Sequence, residues 1–336
     1  MRLRFLDGLK DRLDMRLALY TGARQFAIIF AAGLLIKLFV CDSVKMDGSQ
    51  MEPALLQGDR MLILKAPYAT PIINGIFSHE NKQAVVALPA PAGTKTILRV
   101  AAVSGDTVSV DNGQFYRNRY ASERFRKDTV SLDVIAAEYS PADFMAPYRV
   151  PAPKDYIAFG ELTLRDLIFA YSALRQEKSN ARIKAFAMIG DSIIENYRIE
   201  NFSFYSGPID SIPDELALNW FFWDRLQGYL NILNSGGGDD GDGDGGGNAI
   251  GNWSGERVQL AFSVFKGKKE IAGFKVKKRY MFLMGDNWTG AKDSRYFGPV
   301  ASGRVRGRPV MTLWGWHTGE DGKTRFGGGR IFKFVR

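Results

Sequence analysis

At 336 residues the chain is long enough for one large domain or two smaller ones, each with its own buried core. Its hydrophobic content of 46% is that of an ordinary globular protein, and its formal net charge is +9. An excess of cations favours an anionic partner, either a nucleic acid or a membrane surface. Because the sequence holds neither a basic helix with DNA-reading spacing nor an aromatic RNA-binding signature, we expect no nucleic-acid partner and favour the membrane.

Residues 26–41 form an apolar run that predicts a transmembrane helix. The run is about 16 residues long, and its one charge, Lys37, lies near the far end, where the side chain can reach the interface. Basic residues outnumber acidic ones in the preceding arm, 1–24, so the positive-inside rule places this arm in the cytoplasm. We predict a single anchor over 25–43, with a buried core helix and a cleaved signal peptide as alternatives. No small-x-small cleavage site follows the run, which favours the uncleaved anchor.

Short apolar runs bounded by glycine, proline or aspartate predict a chain made mainly of β-strands. The predicted strands are 61–65, 84–88, 96–103, 107–110, 114–117, 259–265, 274–278, 280–284 and 310–313. The sequence Asp111-Asn112-Gly113 between two of them is typical of a hairpin turn. Helical spacing predicts two helices in the middle section, 162–175 and 214–233.

Two features of the middle section admit more than one interpretation. The helix 214–233 carries consecutive aromatic residues at 220–223, which either touch lipid at the interface or pack in the core. The segment 235–248 is rich in glycine and aspartate and resembles the first half of a calcium-binding loop. The glutamate that closes such a loop is replaced by Gly251, so we predict a flexible acidic linker and no metal site.

Four sequence blocks follow one another along the chain. The first is the anchor, and the others are GSQMEPAL at 48–55, LRVAAVSGD at 98–106 and GDNWTGAKDSRYFG at 285–298. Together they resemble the bacterial type I signal peptidases over residues 26–106 and about 275–315. The resemblance implies a mainly β fold, with an antiparallel, partly barrelled β core formed by 45–106 and 276–315 and an inserted α/β cap over 107–275. A basic tail, 316–336, follows this core and suits a face resting on anionic lipid.

The family that the chain resembles cleaves peptides with a serine–lysine dyad, and this chain lacks both residues at the matching positions. The family nucleophile directly precedes Met-x-Pro, and here that position holds Gln50, whose amide is not a nucleophile. The family lysine position, counted back from a Gly-Asp pair, holds Leu98, which cannot accept a proton. A serine that helps to orient the lysine is replaced by Ala291, and one that assists the oxyanion is replaced by Gly48. We therefore predict that the chemistry is lost.

A shifted nucleophile is the remaining route to activity. Ser49 lies one residue before the family position, and a bulge in the chain would bring its hydroxyl there. It would still need a base, and the two histidines, His79 and His317, lie outside the motifs. Arg99 falls on the opposite strand face from Leu98 and stays charged. An active enzyme that uses Ser49 is therefore the alternative interpretation.

The last block is interpreted as a structural motif. In the family, its aspartates and arginine brace the core through an Asp–Arg ion pair, and such a pair does not require catalysis. The residues that we assign to this motif are Gly285, Asp286, Asn287, Asp293, Ser294 and Arg295.

The retained scaffold and the missing dyad predict a membrane protein that binds the signal peptides of exported preproteins rather than cleaving them. Met51, Pro53 and Leu98 are predicted to line its peptide cleft, which would accept a small-x-small segment by strand addition. We expect membrane lipid as a second partner, an active paralogue or another membrane subunit as a further one, and no cofactor. A purely structural role in a membrane complex is the third interpretation. The predicted location is the bacterial inner membrane, with one span, a cytoplasmic N-terminus and the main domain outside.

Overall fold

The computed structural model describes residues 2–65, 85–89, 95–127, 140–177, 180–234, 258–318 and 322–335. The strands are, in chain order, β1 (Cys41–Lys45), β2 (Asp59–Leu64), β3 (Val85–Pro89), β4 (Lys95–Val103), β5 (Thr107–Asp111), β6 (Gln114–Arg117), β7 (Tyr120–Arg126), β8 (Met145–Arg149), β9 (Tyr156–Ala158), β10 (Ala181–Ile189), β11 (Ser192–Ile194), β12 (Arg198–Phe202), β13 (Tyr205–Pro208), β14 (Val258–Lys266), β15 (Lys269–Glu270), β16 (Gly273–Lys275), β17 (Tyr280–Met284), β18 (Val300–Ala301), β19 (Arg308–Thr318), β20 (Thr324–Phe326) and β21 (Lys333–Phe334). The α-helices are α1 (Arg2–Phe39), α2 (Leu164–Glu177), α3 (Asp214–Ala217), α4 (Trp220–Asn234) and α5 (Ser294–Phe297). The predicted linker 235–248 and His79 lie outside the described residues.

The N-terminal helix is longer than the apolar run suggests. Within α1, the segment Leu19–Phe39 has 21 residues, a mean hydropathy of 1.5 and no buried positions, which is long and apolar enough to cross a membrane. The helix stops at Phe39, and Cys41 already pairs with Leu64 in a sheet. The anchor bounds 25–43 stay a prediction, and the helix itself ends before backbone pairing with β2 begins.

Two antiparallel sheets build the part of the fold that contains the sequence blocks at 48–55, 98–106 and 285–298. One has the order β1-β2-β19-β20, with β21 also paired to β19, and the other has the order β18-β17-β4-β3. A bridge between Ala87 and Gly307 joins their edges. The Met51 cluster packs on one face of β3 and β4 and contains Val44, Met46, Met51, Leu55, Met61, Ile63, Val85, Ala87 and Ile97. The Leu98 cluster packs on the other face and contains Val86, Leu88, Leu98, Val100, Met281, Leu283, Val300 and Val305.

The inserted section, 107–275, adds its own antiparallel sheets and packs against the core. Its larger sheets have the orders β7-β6-β5-β8 and β11-β10-β14-β15. The predicted hairpin is confirmed, since β5 and β6 pair and the turn residues Asn112 and Gly113 both have positive φ. Phe115 of this section stacks on Phe282 of β17 with ring centroids 6.3 Å apart. The mainly β fold, with an antiparallel core and an inserted α/β section behind an N-terminal helix, is thereby confirmed.

The single helix predicted over 214–233 is wrong, because the chain forms two helices there. The side chain of Asn219 accepts a hydrogen bond from the backbone N–H of Phe221 at 3.1 Å and so caps the start of α4. The aromatic residues that follow pack inward: Phe222 and Trp223 are buried in a cap cluster, and Phe221 meets the ring of Tyr296 edge-on. Core packing, rather than contact with lipid, therefore accounts for these residues.

Asp224 on α4 is a partly buried carboxylate whose charged form is destabilised by its surroundings. Burial raises the pKa of Asp224, and the neighbouring Arg225 only partly opposes this. A raised pKa in the folded state contributes stability that is complete below the unfolded-state pKa and is lost as the pH rises through the folded-state pKa. At neutral pH the charged carboxylate therefore opposes folding.

We expect Asp224→Asn to raise the melting temperature at pH 7, and the gain to shrink as the pH approaches 4. Thermal unfolding in detergent at a series of pH values measures this difference. Asp191→Asn, at an exposed position in the turn between β10 and β11, is the control and should melt like the parent at every pH. An Asp224→Asn gain that does not change with pH would contradict the assignment.

Candidate functional site

The loop between β1 and β2 carries the position of the family nucleophile. Two of its apolar side chains anchor it in the core. Met51 and Leu55 are fully buried in the Met51 cluster. The backbone N–H of Leu55 donates to the carbonyl of Met51 at 2.8 Å, which closes a helical turn. The loop ends where Gly58 donates to the carbonyl of Met46 at 2.9 Å. Residues 48–50 therefore sit on a rigid base.

The Gly285-Asp286-Asn287 turn clamps this loop from the other side. The backbone N–H of Asn287 donates to the carbonyl of Gln50, and its side-chain amide donates to the carbonyl of Ser49, both at 3.1 Å. A Cβ added at Gly285 would lie under 3.0 Å from the Gln50 carbonyl oxygen and from the Cβ of Ala291. The motif thus fixes the backbone of residues 49 and 50 by close packing, whatever side chains those residues carry.

We expect Gly285→Ala to destabilise the fold by about 1–3 kcal/mol, because its Cβ has to displace backbone atoms rather than a flexible side chain. Urea unfolding of the purified protein in detergent measures the loss. Gly303→Ala is the matched control, since its Cβ would meet nothing within 4 Å. Equal stability of the two variants would show that the turn and the loop are not tightly packed.

The side chain of Gln50 turns back over Gly48 instead of facing outward. A Cβ at Gly48 would lie under 3.0 Å from the Gln50 side-chain oxygen, so glycine at 48 leaves the space that the amide fills. Ser49 is half-buried, and its carbonyl accepts from the backbone N–H of Glu52 at 3.0 Å. Within the described part of the chain, the Ser49 hydroxyl makes no hydrogen bond with a histidine, lysine or carboxylate.

Leu98, at the position of the family base, is fully buried among hydrocarbon side chains. Ala291, at the position of the orienting serine, is buried as well. The three residues predicted to line a peptide cleft are not brought together: Met51 and Leu98 lie in clusters on opposite faces of the sheet, and Pro53 is exposed. The alternation of β4 side chains causes this separation. Their role in peptide binding stays a prediction.

A buried ion pair that the sequence motifs do not indicate lies beside the loop. The Nε of Arg99 donates to Oδ1 of Asp286 at 2.7 Å, and a second guanidinium nitrogen donates to Oδ2 at 2.6 Å. Both side chains are almost completely buried. Arg124 approaches the same carboxylate from the solvent side at 3.6 Å. The sequence gives part of this arrangement, since strand alternation puts Arg99 on the face opposite Leu98. It does not give the partner of Arg99, because Asp286 is distant in the chain.

The Asp293–Arg295 pair forms the centre of the last block. Two guanidinium nitrogens of Arg295 donate to the two oxygens of Asp293 at 2.9 Å, and both side chains are 0% exposed. Burial alone would lower the pKa of Arg295, but the Asp293 carboxylate outweighs burial and raises it. Asp293 also accepts the backbone N–H of Gly285 at 3.1 Å. The Ser294 hydroxyl accepts the backbone N–H of Leu283 at 2.9 Å, so the pair fixes the end of β17.

The family model described as "Signal peptidase, peptidase S26" matches residues 19–153 and 249–314. The chain belongs to this signal peptidase family. No curated protein sequence matches the chain significantly. The match covers the anchor, all of the motif blocks and the core strands up to the first part of β19, and it leaves out most of the cap and the C-terminal tail with β20 and β21.

The tail of this signal peptidase relative folds back onto the core. β20 and β21 both pair with β19, and Arg330 places its guanidinium on the buried carboxylate of Asp59 at 2.8 Å. The same guanidinium donates to the carbonyl of Ala54 at 2.8 Å, beside the clamped loop. His317 lies with Nδ1 3.0 Å from the Gln57 carbonyl and Nε2 3.4 Å from Asp59. These contacts make it a bracing residue of the tail.

Proposed function

We propose that this member of the signal peptidase family binds signal-peptide segments of exported proteins at the membrane without cleaving them. The observation that carries the proposal is the burial of Leu98 in hydrocarbon at the position of the family base. A hydrocarbon side chain cannot take a proton from a nucleophile. The amide of Gln50 at the nucleophile position agrees with this reading. A leucine at a buried site also avoids the desolvation cost that a lysine there would carry.

The edge of β4 next to the clamped loop offers a place for a peptide. β3 pairs with β4 along residues 95–99, whereas β17 on the other side pairs only from Arg99 to Val103. Among the described strands, none pairs with residues 95–98 on the β17 side. Gly285, which follows β17 directly, packs against the carbonyl of Gln50. An extended peptide added to this edge would therefore end beside residue 50.

The proposal includes an orientation in the membrane. The apolar segment Leu19–Phe39 serves as a single uncleaved span of the bacterial inner membrane, with the basic arm in the cytoplasm. The sheets then lie on the outer side, where signal peptides of exported chains emerge. Large apolar side chains exposed on the tail, Trp316, Phe326, Phe332 and Phe334, together with its basic residues, suit contact with anionic lipid.

Two other functions compete with the proposal. An active signal peptidase would use Ser49 as a shifted nucleophile, and its half-buried hydroxyl keeps that alternative open to test. A scaffold in a membrane complex, pairing with an active paralogue or another membrane subunit, would need no peptide site at all.

The deciding experiment presents a preprotein with an Ala-x-Ala site to the purified full-length protein in detergent. We expect saturable binding and no cleavage, with Ser49→Ala indistinguishable from the parent and from Ser192→Ala, a control at an exposed position in β11. Cleavage that Ser49→Ala abolishes and Ser192→Ala keeps would establish the active enzyme instead. Absence of binding, with a tightly co-purifying membrane subunit, would favour the scaffold.

The mode of binding has its own test, because strand addition depends on backbone hydrogen bonds along one edge of the peptide. Two versions of the Ala-x-Ala peptide carry N-methyl groups on alternate amides, in one register or the other. We expect one register to abolish binding and the other to leave it nearly unchanged. Equal affinities of the two versions would rule out strand addition.

A further inference from the structure

A cleft of about 840 Å³ opens beside the clamped loop. Its walls are the turn 52–54, the end of β7 with Lys127, and the loop 286–289. Asn287 belongs to the wall of this cleft and also holds the carbonyls of Ser49 and Gln50. The cleft therefore adjoins the loop that carries the position of the family nucleophile.

Among the charged side chains that line the cleft, Arg124 and Arg126 are the two cations that are exposed at its opening. Lys127 is paired with Asp143 at 2.9 Å, and the Asp286 carboxylate is bound from behind by Arg99. Arg124 is 38% exposed and only 3.6 Å from that already paired carboxylate. Arg126 is exposed and has no ion-pair partner among the residues that the structure describes.

One negative group, Glu52, faces these arginines across the cleft. With Asp286 it gives the lining two carboxylates against three cationic side chains, so the opening keeps a net positive charge. We take an exported peptide as the occupant because Asn287 lines this cleft and also holds the loop that carries the position of the family nucleophile.

The spacing of the two arginines matches an extended chain. β7 is an edge strand of its sheet, and Arg124 and Arg126 are exposed on either side of the buried Phe125. Both arginines line the cleft, although β7 bulges against β6 between Ala121 and Arg126. Alternate residues of an extended peptide beside them would point to one face. Each guanidinium presents a planar pair of donors that suits one carboxylate.

We propose that this cleft binds acidic residues at alternate positions immediately after the small-x-small segment of an exported chain. The inference rests on the proposed function. The small-x-small segment of the exported peptide must lie along the β4 edge and end beside residue 50, so that the peptide residues that follow it reach β7. It assigns the protein a preference for preproteins whose mature part begins with aspartate or glutamate.

The test measures fluorescence anisotropy of labelled peptides with the full-length protein in neutral detergent at low salt. The peptides share an Ala-x-Ala segment and continue with two acidic residues at alternate positions or with their amides. We expect the acidic peptide to bind roughly fivefold more tightly, since two exposed ion pairs each contribute modestly. We expect 0.5 M NaCl to remove most of this preference, because salt screens exposed charges.

Variants locate the effect in the cleft. Arg124→Gln/Arg126→Gln should abolish the preference and leave the affinity for the amide peptide unchanged. Glu52→Gln should increase the preference. The matched control is Arg182→Gln/Arg198→Gln, which removes two exposed arginines of the cap and should keep the preference intact. Melting curves confirm that each variant is folded.

The outcomes separate this inference from the proposed function. Equal binding of acidic and amide peptides, or a preference that persists in Arg124→Gln/Arg126→Gln, would overturn the inference alone. An acidic peptide without the Ala-x-Ala segment serves as a third probe. If it binds in an arginine-dependent way while the Ala-x-Ala amide peptide does not bind, the cleft stands and the proposed function fails. If inorganic phosphate competes as well as the acidic peptide, the cleft is a general anion site and the inference is wrong.

Discussion

Replacing Arg295 with methionine is expected to lower the free energy of unfolding by about 3–5 kcal/mol, a large share of the stability of a typical domain. The change leaves the carboxylate of Asp293 in a fully buried site without its cation. It also removes the hydrogen bond to the Trp288 carbonyl at 2.8 Å and the stacking of the guanidinium over the Trp288 ring at 4.4 Å. Because Asp293 accepts a hydrogen bond from the backbone N–H of Gly285, we expect the Gly285-Asp286-Asn287 turn to hold the clamped loop less tightly as well.

Urea unfolding in detergent, followed by tryptophan fluorescence, measures this loss. The control is Arg149→Met, which breaks the exposed Arg149–Asp155 pair and should cost at most about 1 kcal/mol. The double variant Arg295→Met/Asp293→Asn should recover part of the loss, since no charge then remains buried. A similar cost for Arg295→Met and Arg149→Met would show that the Asp293–Arg295 pair is hydrated.

Replacing Arg330 with methionine is expected to cost about 2–4 kcal/mol and to free the C-terminal tail from the core. The carboxylate of Asp59 is fully buried, and the guanidinium of Arg330 is its permanently charged partner. The nearby His317 is charged only when protonated. Without Arg330, the Asp59 carboxylate keeps the backbone N–H of Leu56 at 3.0 Å as a donor. The tail then keeps the pairing of two short strands with β19, the packing of Val335 on the Met51 cluster and the contact of Phe326 with the Trp316 ring.

Limited trypsin digestion together with urea unfolding distinguishes the two effects. Arg330→Met should be cut in the tail faster than the parent, at the remaining basic residues. Arg304→Met, at an exposed position, should behave like the parent within about 0.5 kcal/mol. A destabilised Arg330→Met protein whose tail resists trypsin would mean that strand pairing and these apolar contacts hold the tail without Arg330.

The parts of the fold that depend on local patterns could be read from the sequence. The alternation in 96–103 correctly separates Leu98 from Ile97 and Arg99, and Asn112-Gly113 specifies its hairpin. The order of the motif blocks identifies the family. These features need only near neighbours in the chain, or a comparison with known blocks.

The parts that depend on distant residues could not be read in this way. The pairs Arg99–Asp286 and Arg330–Asp59 join residues 187 and 271 positions apart, and no local period connects such residues. The strand pattern shows which way Leu98 points, but the path of the 46–58 loop decides that Met51 lies on the opposite face. The break at Asn219 was missed because the apolar spacing continues across it, while a single capping side chain interrupts the helix.

Only Val40 separates the end of α1 from the start of β1, and this short junction has a mechanical consequence for a protein held by that helix in a bilayer. The Val40 carbonyl accepts the backbone N–H of Lys65 at 2.6 Å, and the Lys65 ammonium donates to the Lys37 carbonyl at 3.2 Å, so the junction has little slack. Ser49 lies ten positions after Phe39, which limits their separation to about 35 Å even for a fully stretched chain. Under the proposed function, this would confine recognition to a thin layer of water next to the lipid, where an exported chain has just emerged and has not yet folded.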